Sequence, residues 1–329
     1  MRFFLTGATG FLGGALARTL RADGHDVRAL VRNPAAAASL RDIGVELHQG
    51  DVTDKASMRA PMTGVDGVFH VAGWYKIGLR DRRPAVAINV DGTRHVLELM
   101  AELGIRKGVY TSTLAVNSDT RGRVVDEDYR YRGRHLSVYD QTKAEAHRVA
   151  EDFIAKGLPL VIVQPGLIYG PGDTSSVGTL LRRYLQRKLP IVPKESAFSW
   201  AHVDDEARGH VLAMERGQPG RNYFLAGPVY TISGALKVAE SITGIPAPRV
   251  LIPRGVMQAT ASLMGLFDRW LPLPPEYTAE GLRVAGGVTY LGTAKRAARE
   301  LGWSPRPLRD GLAATLEHEM QQLGLTPRT

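Results

Sequence analysis

Short apolar runs recur through the first 165 residues, and longer stretches with polar residues at helical spacing separate them. The runs are apolar at consecutive positions rather than at alternate ones. This is expected of strands in a parallel sheet that helices cover on both faces. Six strands are predicted in this way: Phe3–Leu5, Val27–Val31, Val45–His48, Val68–Val71, Gly108–Thr111 and Leu160–Val163.

The stretches between the runs carry the start and stop signals of helices. Each of the three clearest ends within two residues of a glycine, and one begins with a proline, which suits the first turn of a helix. Alternation of strands and helices with right-handed crossovers predicts an α/β fold with a Rossmann-type, doubly wound parallel sheet. The three helices are predicted at Phe11–Ala22, Pro84–Leu103 and Tyr139–Ala155.

The pattern changes after Pro165. A loop at Gly170-Pro171-Gly172 is followed by helical segments and a proline-rich break at residues 272–275, which indicates a smaller, mixed α/β region. We therefore predict a first domain at residues 1–165, completed by parts of 201–226, and an interleaved region at 166–329. The helical segments are predicted at Val177–Arg187, Asp205–Glu215, Ser233–Thr243, Gly255–Trp270 and Ala294–Leu323.

Composition excludes several classes of protein. The chain has 329 residues, of which 44% are hydrophobic and 23% charged, so it can bury a sizeable core and is not a disordered or collagen-like chain. It has no cysteine, which excludes a disulfide framework, a thiol nucleophile and a cysteine-based metal site. The nine histidines show no metal-ligand spacing, so no metal is predicted. We expect a cytoplasmic protein.

The net charge of +9 comes from 33 arginines and only 9 lysines against 33 acidic residues. A basic surface can attract nucleic acid, anionic lipid or an anionic cofactor. The charges are scattered, however, and the densest stretches, Arg80–Arg83 and Arg121–Arg134, form no long basic helix. We therefore predict no nucleic-acid partner. No apolar run approaches the roughly 18 residues of a membrane span, so none is predicted.

A glycine-rich turn joins the first predicted strand to the first helix in the sequence Thr6–Gly13. Gly7 permits a tight turn, Gly10 lets the backbone approach a pyrophosphate, and Gly13 lets the helix pack closely on the sheet. The helix N-terminus then offers free N–H groups and a positive dipole end to phosphates. The turn predicts that the first domain binds a dinucleotide, whereas a loop that only turns the chain is the alternative. The predicted contacts are Gly7, Thr9, Gly10, Phe11, Leu12 and Gly13.

The spacing Gly-x-x-Gly-x-x-Gly in Thr6–Gly13 resembles the extended short-chain dehydrogenase/reductase family, to which NAD-dependent epimerases and dehydratases belong. The resemblance runs over most of the chain. It implies that Asp51 and Val52, after the third strand, contact the adenine. It also implies that the segment after the fourth strand passes beneath the cofactor ribose. That segment is Val71, Ala72 and Gly73.

The end of the second strand bears on the choice of nicotinamide cofactor. NAD-binding folds usually place a carboxylate there for the ribose hydroxyls, but this strand ends in Val31, and Arg32 follows. A guanidinium can bond two oxygens of a 2′-phosphate at once. We therefore predict a preference for NADP(H), with NAD(H) possible. The alternative is that Arg32 is a surface residue that stacks on the adenine.

Tyr139 and Lys143 stand four residues apart, which places both on one face of a helix. A nearby cation favours the phenolate of a tyrosine, whose usual pKa near 10 makes it a poor base at neutral pH. The set resembles the family's Ser/Thr–Tyr–Lys triad, which makes Thr113 the catalytic hydroxyl, with Ser112 as the fallback. The resemblance also assigns Asn89 a supporting role at the active-site backbone. We include Thr111, Tyr139 and Lys143 among the cofactor contacts.

The segment after the sixth strand resembles the family's corresponding segment, and we assign Pro165 and Gly166 to the cofactor site and Leu167 to the substrate site. Trp74 and Tyr75 follow the cofactor loop and would line an apolar pocket, with ordinary packing as the alternative.

Many nucleotide-sugar enzymes of this family carry an arginine before this proline and another near the Trp200–Val203 motif, where this chain has Gln164 and Phe198. Their absence weakens the case for a nucleotide-sugar substrate. His202 resembles a structural residue of that motif.

The sequence resembles most closely the branch of dihydroflavonol reductases and 3β-hydroxysteroid dehydrogenases. This implies an NADP(H)-preferring oxidoreductase that transfers a hydride to or from a carbonyl or secondary alcohol of an apolar small molecule. A nucleotide-sugar epimerase or dehydratase is the first alternative, and a non-catalytic dinucleotide-sensing protein is the second. The resemblance also implies a homodimer formed through the two helices predicted at Pro84–Leu103 and Tyr139–Ala155.

Overall fold

The computed structural model describes residues 1–76, 78, 81–267 and 278–325. A parallel sheet of seven strands forms its centre, in the order β10-β6-β5-β4-β1-β2-β3. The six predicted strands are confirmed as β1 to β6, with ends that differ by at most two residues. Their bounds are β1 Arg2–Thr6, β2 Asp26–Val31, β3 Glu46–Gln49, β4 Gly67–His70, β5 Gly108–Thr111 and β6 Leu160–Pro165, and the seventh strand is β10, Asn222–Leu225.

The strand order reverses between β1 and β4, because the chain adds strands on one side of β1 and then on the other. In open α/β sheets such a switch point leaves a crevice at the carboxyl ends of the strands, where ligands bind. The register aligns Thr6 of β1 with His70 of β4 at this edge. The fold therefore brings the glycine turn after β1 next to the segment after β4.

Helices cover both faces of the sheet, as the continuous apolar strands require. One face packs on α1, α8 and α12, and the opposite face packs on α3, α5 and α6. The short α2 follows a 3₁₀ turn at Pro34–Ala37 near β2. The bounds are α1 Phe11–Ala22, α2 Ala38–Asp42, α3 Lys55–Met62, α5 Gly92–Glu102, α6 Val138–Ala155, α8 Val203–Arg216 and α12 Lys295–Leu301.

Two long predicted helices are interrupted. The segment predicted at Pro84–Leu103 consists of α4, Arg83–Val86, then one π-helical turn at Ala87–Asp91, and then α5. The segment predicted at Ala294–Leu323 is two helices, α12 and α13, Leu308–Gln322. Gly302 ends α12 with a φ of 72°, and the nearby prolines prevent the helix from continuing.

The second half adds a smaller layer of short strands and helices, and their side chains form a separate apolar cluster. Short strands β7, β9, β11 and β13 form one sheet around β9, and β8 pairs with β12. The sequence pattern did not predict these strands. The bounds are β7 Leu167–Tyr169, α7 Ser176–Leu185, β8 Ile191–Pro193, β9 Ala197–His202, β11 Val229–Thr231, α9 Ile232–Thr243, β12 Val250–Ile252, α10 Arg254–Phe267, α11 Ala279–Ala285 and β13 Thr289–Tyr290.

The last residues of the predicted helix Gly255–Trp270, the proline-rich break at 272–275 and Arg80 of the basic stretch lie outside the described residues. Within the part of the chain that the structure describes, no helix combines the length and the apolar character that crossing a bilayer requires.

Candidate active site

The glycine turn after β1 is packed too tightly for side chains. Gly7 has a φ of 77°, and a Cβ atom on it would lie 2.7 Å from the Ala72 nitrogen. A Cβ atom on Gly13 would lie 2.1 Å from the Gly7 carbonyl oxygen. Gly10 donates its N–H to that same oxygen at 2.9 Å and precedes α1 without a side-chain cap. The turn therefore leaves an open cradle of main-chain groups at a helix N-terminus, which fits a pyrophosphate.

The other predicted members of the loop differ in what they contact. Thr9 and Gly10 are exposed, so they are accessible to a ligand. Phe11 is half-buried, and its ring lies next to Gly170 in the loop of the second half. Leu12 is buried on the core side of α1. Its side chain therefore packs in the protein, and only its main chain belongs to the cradle.

Arg32 lies at the carboxyl end of β2, directly after the buried Val31, and is exposed. Among the described residues, no side chain or carbonyl group pairs with its guanidinium at hydrogen-bond or ion-pair distance. Asp51 follows β3 and accepts hydrogen bonds from the Thr53 N–H at 2.9 Å and from its hydroxyl at 2.8 Å. Val52 is buried against Gly92 of α5. These residues border the same edge of the sheet as the glycine turn.

The segment after β4 is held by side chains from neighbouring elements. The Thr6 hydroxyl accepts hydrogen bonds from the N–H groups of Val71 and Ala72 at 3.2 and 3.1 Å. Gly73 is exposed, and Asn89 from the π-helical turn bonds the next residue, Trp74. π-Helical turns are rare and occur frequently at functional sites. Here the turn directs a buried amide at the segment after β4.

Tyr139 occupies the first turn of α6, which begins because the Ser137 hydroxyl accepts the Asp140 N–H at 3.0 Å. The Thr113 hydroxyl, which accepts the Ala115 N–H at 3.2 Å, lies close enough to Tyr139 to oppose the effect of burial on the pKa of the phenol, so the predicted pair comes together. Burial raises the pKa of Tyr139 to about 12, which keeps the phenol protonated. The fallback residue Ser112 instead bonds His147 Nδ1 at 2.8 Å and is buried, which favours Thr113 as the reactive hydroxyl.

Lys143 lies one turn further along α6 and is only 5% exposed. Its Nζ donates to the Thr111 carbonyl oxygen at 2.8 Å and to the Tyr110 hydroxyl at 3.3 Å. A Cβ atom on Gly73 would lie 3.8 Å from this Nζ, so the amine lies beside the segment after β4. Burial lowers the pKa of Lys143 to about 7. The Thr111 hydroxyl points away and bonds His210 Nε2 at 2.9 Å.

The remaining predicted contacts lie after β6 and after β4. Pro165 ends β6 and is buried, and Gly166 is pressed against β9, where a Cβ atom would lie 2.2 Å from the Ser199 oxygen. Leu167 is half-buried in β7 opposite Trp200. Trp74 is half-buried and Tyr75 is 60% exposed.

His202 caps α8 by accepting the Asp204 N–H on Nδ1 at 3.3 Å, which is a structural contact. No group of three or more His, Asp or Glu side chains in the described ranges could hold a metal ion.

Sequence reasoning missed several residues that surround this site. His70, Thr93 and Tyr110 are buried in contact with one another beneath it, and Tyr290 donates a 2.8 Å hydrogen bond to Asp140 beside Tyr139. The only signal was a polar residue at the end of an apolar strand, as in Gly67–His70. Such a residue does not reveal its partner, because the partner lies on another element.

Comparison with known proteins places this geometry in a family. The model of the NAD dependent epimerase/dehydratase family matches residues 3–226. The putative dihydroflavonol 4-reductase of Synechocystis sp. is 32% identical over 319 residues, which cover 94% of this chain and 92% of that protein. Sterol demethylase protein B of Methylococcus capsulatus is 33% identical over 327 residues, covering 95% and 96%.

A solved structure is also similar along its whole length. The crystal structure of gox2253 superposes with a TM-score of 0.87 at 29% sequence identity and covers 98% of this chain and 99% of that one. The matched region of the family model contains the glycine turn, the π-helical turn with Asn89, and the Tyr139–Lys143 helix.

Proposed function

This chain belongs to the NAD dependent epimerase/dehydratase family and is an oxidoreductase of the extended short-chain dehydrogenase/reductase type, and we propose that it interconverts a carbonyl and a secondary alcohol on an apolar small molecule with NADP(H) as the preferred cofactor. The observation that carries the proposal is the meeting of three groups. Thr113 lies close enough to Tyr139 to affect the pKa of its phenol, and Lys143 Nζ lies beside Gly73, at the edge that bears the open glycine cradle.

The residues present fit the cofactor. Its pyrophosphate would lie on the main chain at Gly7 to Gly13, where side chains on Gly7 and Gly13 would collide with the neighbouring main chain and distort the cradle. Val71 to Gly73 and Lys143 would hold the ribose of the nicotinamide, and Pro165 and Gly166 would border the ring. Asp51 and Val52 would contact the adenine. When bound, the nicotinamide supplies or accepts the hydride.

The side chains of this site then handle the proton and the substrate oxygen. Thr113 holds the oxygen by a hydrogen bond, and Tyr139, which its pKa near 12 keeps protonated, donates a proton to it during reduction. In the reverse direction Tyr139 must lose its proton, and a protonated Lys143 at the same helix face lowers the cost of that ionisation. Asn89 supports the loop at Trp74 rather than touching the reacting atoms.

The preference for NADP(H) is supported by Arg32. Its guanidinium is exposed at the end of β2, where the adenine ribose would lie, and a 2′-phosphate offers it a bidentate partner. An apolar substrate is supported by Trp74, Tyr75 and Leu167, and by relatives whose names refer to a dihydroflavonol and a sterol. We also propose that residues 1–165, with parts of 201–226, hold the cofactor and that 166–329 carries the substrate.

The helices α5 and α6 lie side by side on one face of the sheet. We propose that they form a homodimer interface, which sedimentation would test. A cytoplasmic location stays a prediction. A nucleotide-sugar substrate is less favoured, because Gln164 and Phe198 stand where many nucleotide-sugar enzymes of the family carry arginines, and an arginine in place of Phe198 would bind the diphosphate.

The test is a panel of ketones, secondary alcohols and nucleotide sugars, assayed by the absorbance of reduced cofactor. We expect stoichiometric oxidation of NADPH by apolar ketones. Tyr139→Phe should lower turnover by about 10²- to 10⁴-fold and leave NADPH binding intact. Tyr230→Phe, a matched change outside the site, should leave turnover unchanged. Sugar interconversion without net cofactor oxidation would favour an epimerase, and NADPH binding without any turnover would favour a sensor.

A further inference from the structure

A row of buried polar side chains runs beneath the carboxyl edge of the sheet, from the end of β1 to α6. It consists of Thr6, His70, Thr93, Tyr110 and Lys143, and we call it the Thr6–Lys143 row. The first four members are at most 1% exposed. They lie on the sheet face that is otherwise packed with aliphatic side chains. Burying five polar groups there is costly unless each is hydrogen-bonded, so the bonds between them define the arrangement.

The donor of each hydrogen bond in the row can be assigned from the protons that each group carries. The Thr6 hydroxyl accepts two main-chain N–H groups, from Val71 and Ala72, so its own proton goes to His70 Nδ1 at 2.8 Å. Burial lowers the pKa of His70 to about 3, so the ring is neutral and its single proton lies on Nε2. That proton is donated to the Thr93 hydroxyl at 3.0 Å.

The second half of the row ends at the ammonium. The Tyr110 hydroxyl accepts from Lys143 Nζ at 3.3 Å, and burial raises the pKa of Tyr110, so it stays a neutral phenol beside the ammonium. The His70 and Tyr110 rings stack with centroids 5.5 Å apart, and Nζ lies 4.9 Å from the Tyr110 ring centroid. Every partner that the row presents to Lys143 is therefore neutral and fixed in orientation.

We propose that the Thr6–Lys143 row is a positioning device that fixes the Lys143 ammonium relative to the main chain of Val71 and Ala72, so that both meet the cofactor ribose together. The inference rests on the proposed function, in which Lys143 and this main chain hold that ribose. His70, Thr93 and Tyr110 touch neither cofactor nor substrate in this arrangement, and they are positioning residues.

The physical need for such a device lies in the lysine side chain, which has a long flexible stem and large rotamer entropy. Two of its three N–H donors are committed to Thr111 and Tyr110, which leaves one for the ribose. If the Tyr110 hydroxyl is removed, the ammonium keeps one partner and gains freedom. Cofactor affinity should then fall although no cofactor contact has changed.

The main test compares Tyr110→Phe with Tyr184→Phe. Tyr110→Phe keeps the ring that stacks on His70 and removes only the hydroxyl. Tyr184→Phe removes an equally buried and hydrogen-bonded hydroxyl from the second half of the chain. We expect the dissociation constant for NADPH, measured by fluorescence titration, to rise about tenfold for Tyr110→Phe. It should change less than twofold for Tyr184→Phe.

A second pair of variants interrupts the row at another point. Thr93→Val is isosteric and removes the hydroxyl that holds His70, whose ring stacks on Tyr110, whereas Thr315→Val removes a buried hydroxyl in α13. Thr93→Val should weaken NADPH binding by several-fold and Thr315→Val should not. If Tyr110→Phe fails to fold, this pair decides the question.

The pH profile separates positioning from a purely structural role. Loss of the Tyr110 hydroxyl removes an acceptor that stabilises the ammonium, so the pKa of Lys143 should fall further. The alkaline limb of kcat/KM should then move to lower pH by about half a unit. In nitrogen NMR spectra, His70 should stay neutral with its proton on Nε2 from about pH 5 to pH 9.

The outcomes distinguish this inference from the function on which it rests. Wild-type affinity for NADPH and an unshifted pH limb in both Tyr110→Phe and Thr93→Val would reject the positioning role while the proposed chemistry stands. A His70 ring that titrates near pH 6 would reject it as well. Full turnover in Tyr139→Phe would instead overturn the proposed function itself.

Discussion

Lys143 donates from Nζ to the main-chain oxygen of Thr111 at 2.8 Å, across the gap between α6 and the end of β5. The bond crosses from a helix to the sheet and is buried. It fixes the helix that carries Tyr139 against the strand that leads to Thr113. Burial of the amine at this point lowers the pKa of Lys143 to about 7 from its ordinary value of 10.5.

This pKa predicts how the stability of the cofactor-free protein depends on pH. Between about pH 7 and pH 10 the unfolded chain binds a proton at residue 143 that the folded chain does not bind. The free energy of unfolding should therefore rise with pH, by up to about 1.4 kcal/mol per pH unit from this group. Lys143→Met should lack this contribution. In urea unfolding, the free energy of unfolding of the wild type should therefore rise relative to that of Lys143→Met by about 2 kcal/mol from pH 7 to pH 9.

The control for that experiment is Lys156→Met, because Lys156 is an exposed residue directly after α6. The free energy of unfolding of the Lys156→Met variant should depend on pH as that of the wild type does. Parallel curves for wild type and Lys143→Met would show that the buried amine does not lose its proton in this range.

Arg32 predicts the cofactor preference of the enzyme. Arg32→Ser should raise the KM for NADPH by about 10- to 100-fold, because hydrogen bonds to a charged group contribute about 1.5 to 3 kcal/mol. The KM for NADH should change little. Arg106→Ser removes another exposed guanidinium, at the opposite edge of the sheet before β5, and should affect neither cofactor. Equal losses for NADPH and NADH in Arg32→Ser would instead favour adenine stacking.

The glycine turn predicts a sharp difference between two glycine-to-alanine changes. Gly13→Ala places a methyl group 2.1 Å from the Gly7 oxygen, so the main chain must shift and the cradle must open. We expect a loss of about 1 to 3 kcal/mol in stability and at least a tenfold loss in NADPH affinity. Gly255→Ala in α10 meets open space and should keep or slightly raise stability. Similar calorimetric and binding results for both variants would contradict this packing.

Asn89 predicts a link between the π-helical turn and turnover. Its Oδ1 accepts the Trp74 N–H at 2.7 Å, and its Nδ2 donates to the Trp74 oxygen and to the Thr142 hydroxyl. Asn89→Ala removes both bonds to the main chain of Trp74 and should cost about 1 to 3 kcal/mol, with a lower kcat. Thr142→Val keeps both bonds from Asn89 to Trp74 and removes only its own bonds to Asn89 and to the main chain of α6, so it should cost less in urea unfolding and in kcat. A larger loss of stability and kcat in Thr142→Val than in Asn89→Ala would contradict the importance of the bonds between Asn89 and Trp74.

The strands of the central sheet could be predicted because each is buried on both faces, so the apolar run is visible without knowledge of its neighbours. The π-helical turn at residues 87–91, which interrupts the helix predicted at Pro84–Leu103, could not be predicted. A π-helical turn has no distinct composition, and it is retained here by bonds from Asn89 to Trp74 and Thr142, which lie far away in the chain. The strands β7, β9, β11 and β13 escaped prediction because they are short and depend on pairing with one another.

The sequence by itself determined the sheet, the glycine turn and the spacing of Tyr139 and Lys143, because these depend on local periodicity and on residues close together in the chain. Tertiary structure alone decided which hydroxyl meets Tyr139, since Thr113 and Ser112 are neighbours and only packing against α6 directs one of them to His147. It also decided that Lys143 is desolvated, because β5 and the segment after β4, which are distant from α6 in the chain, pack around its amine.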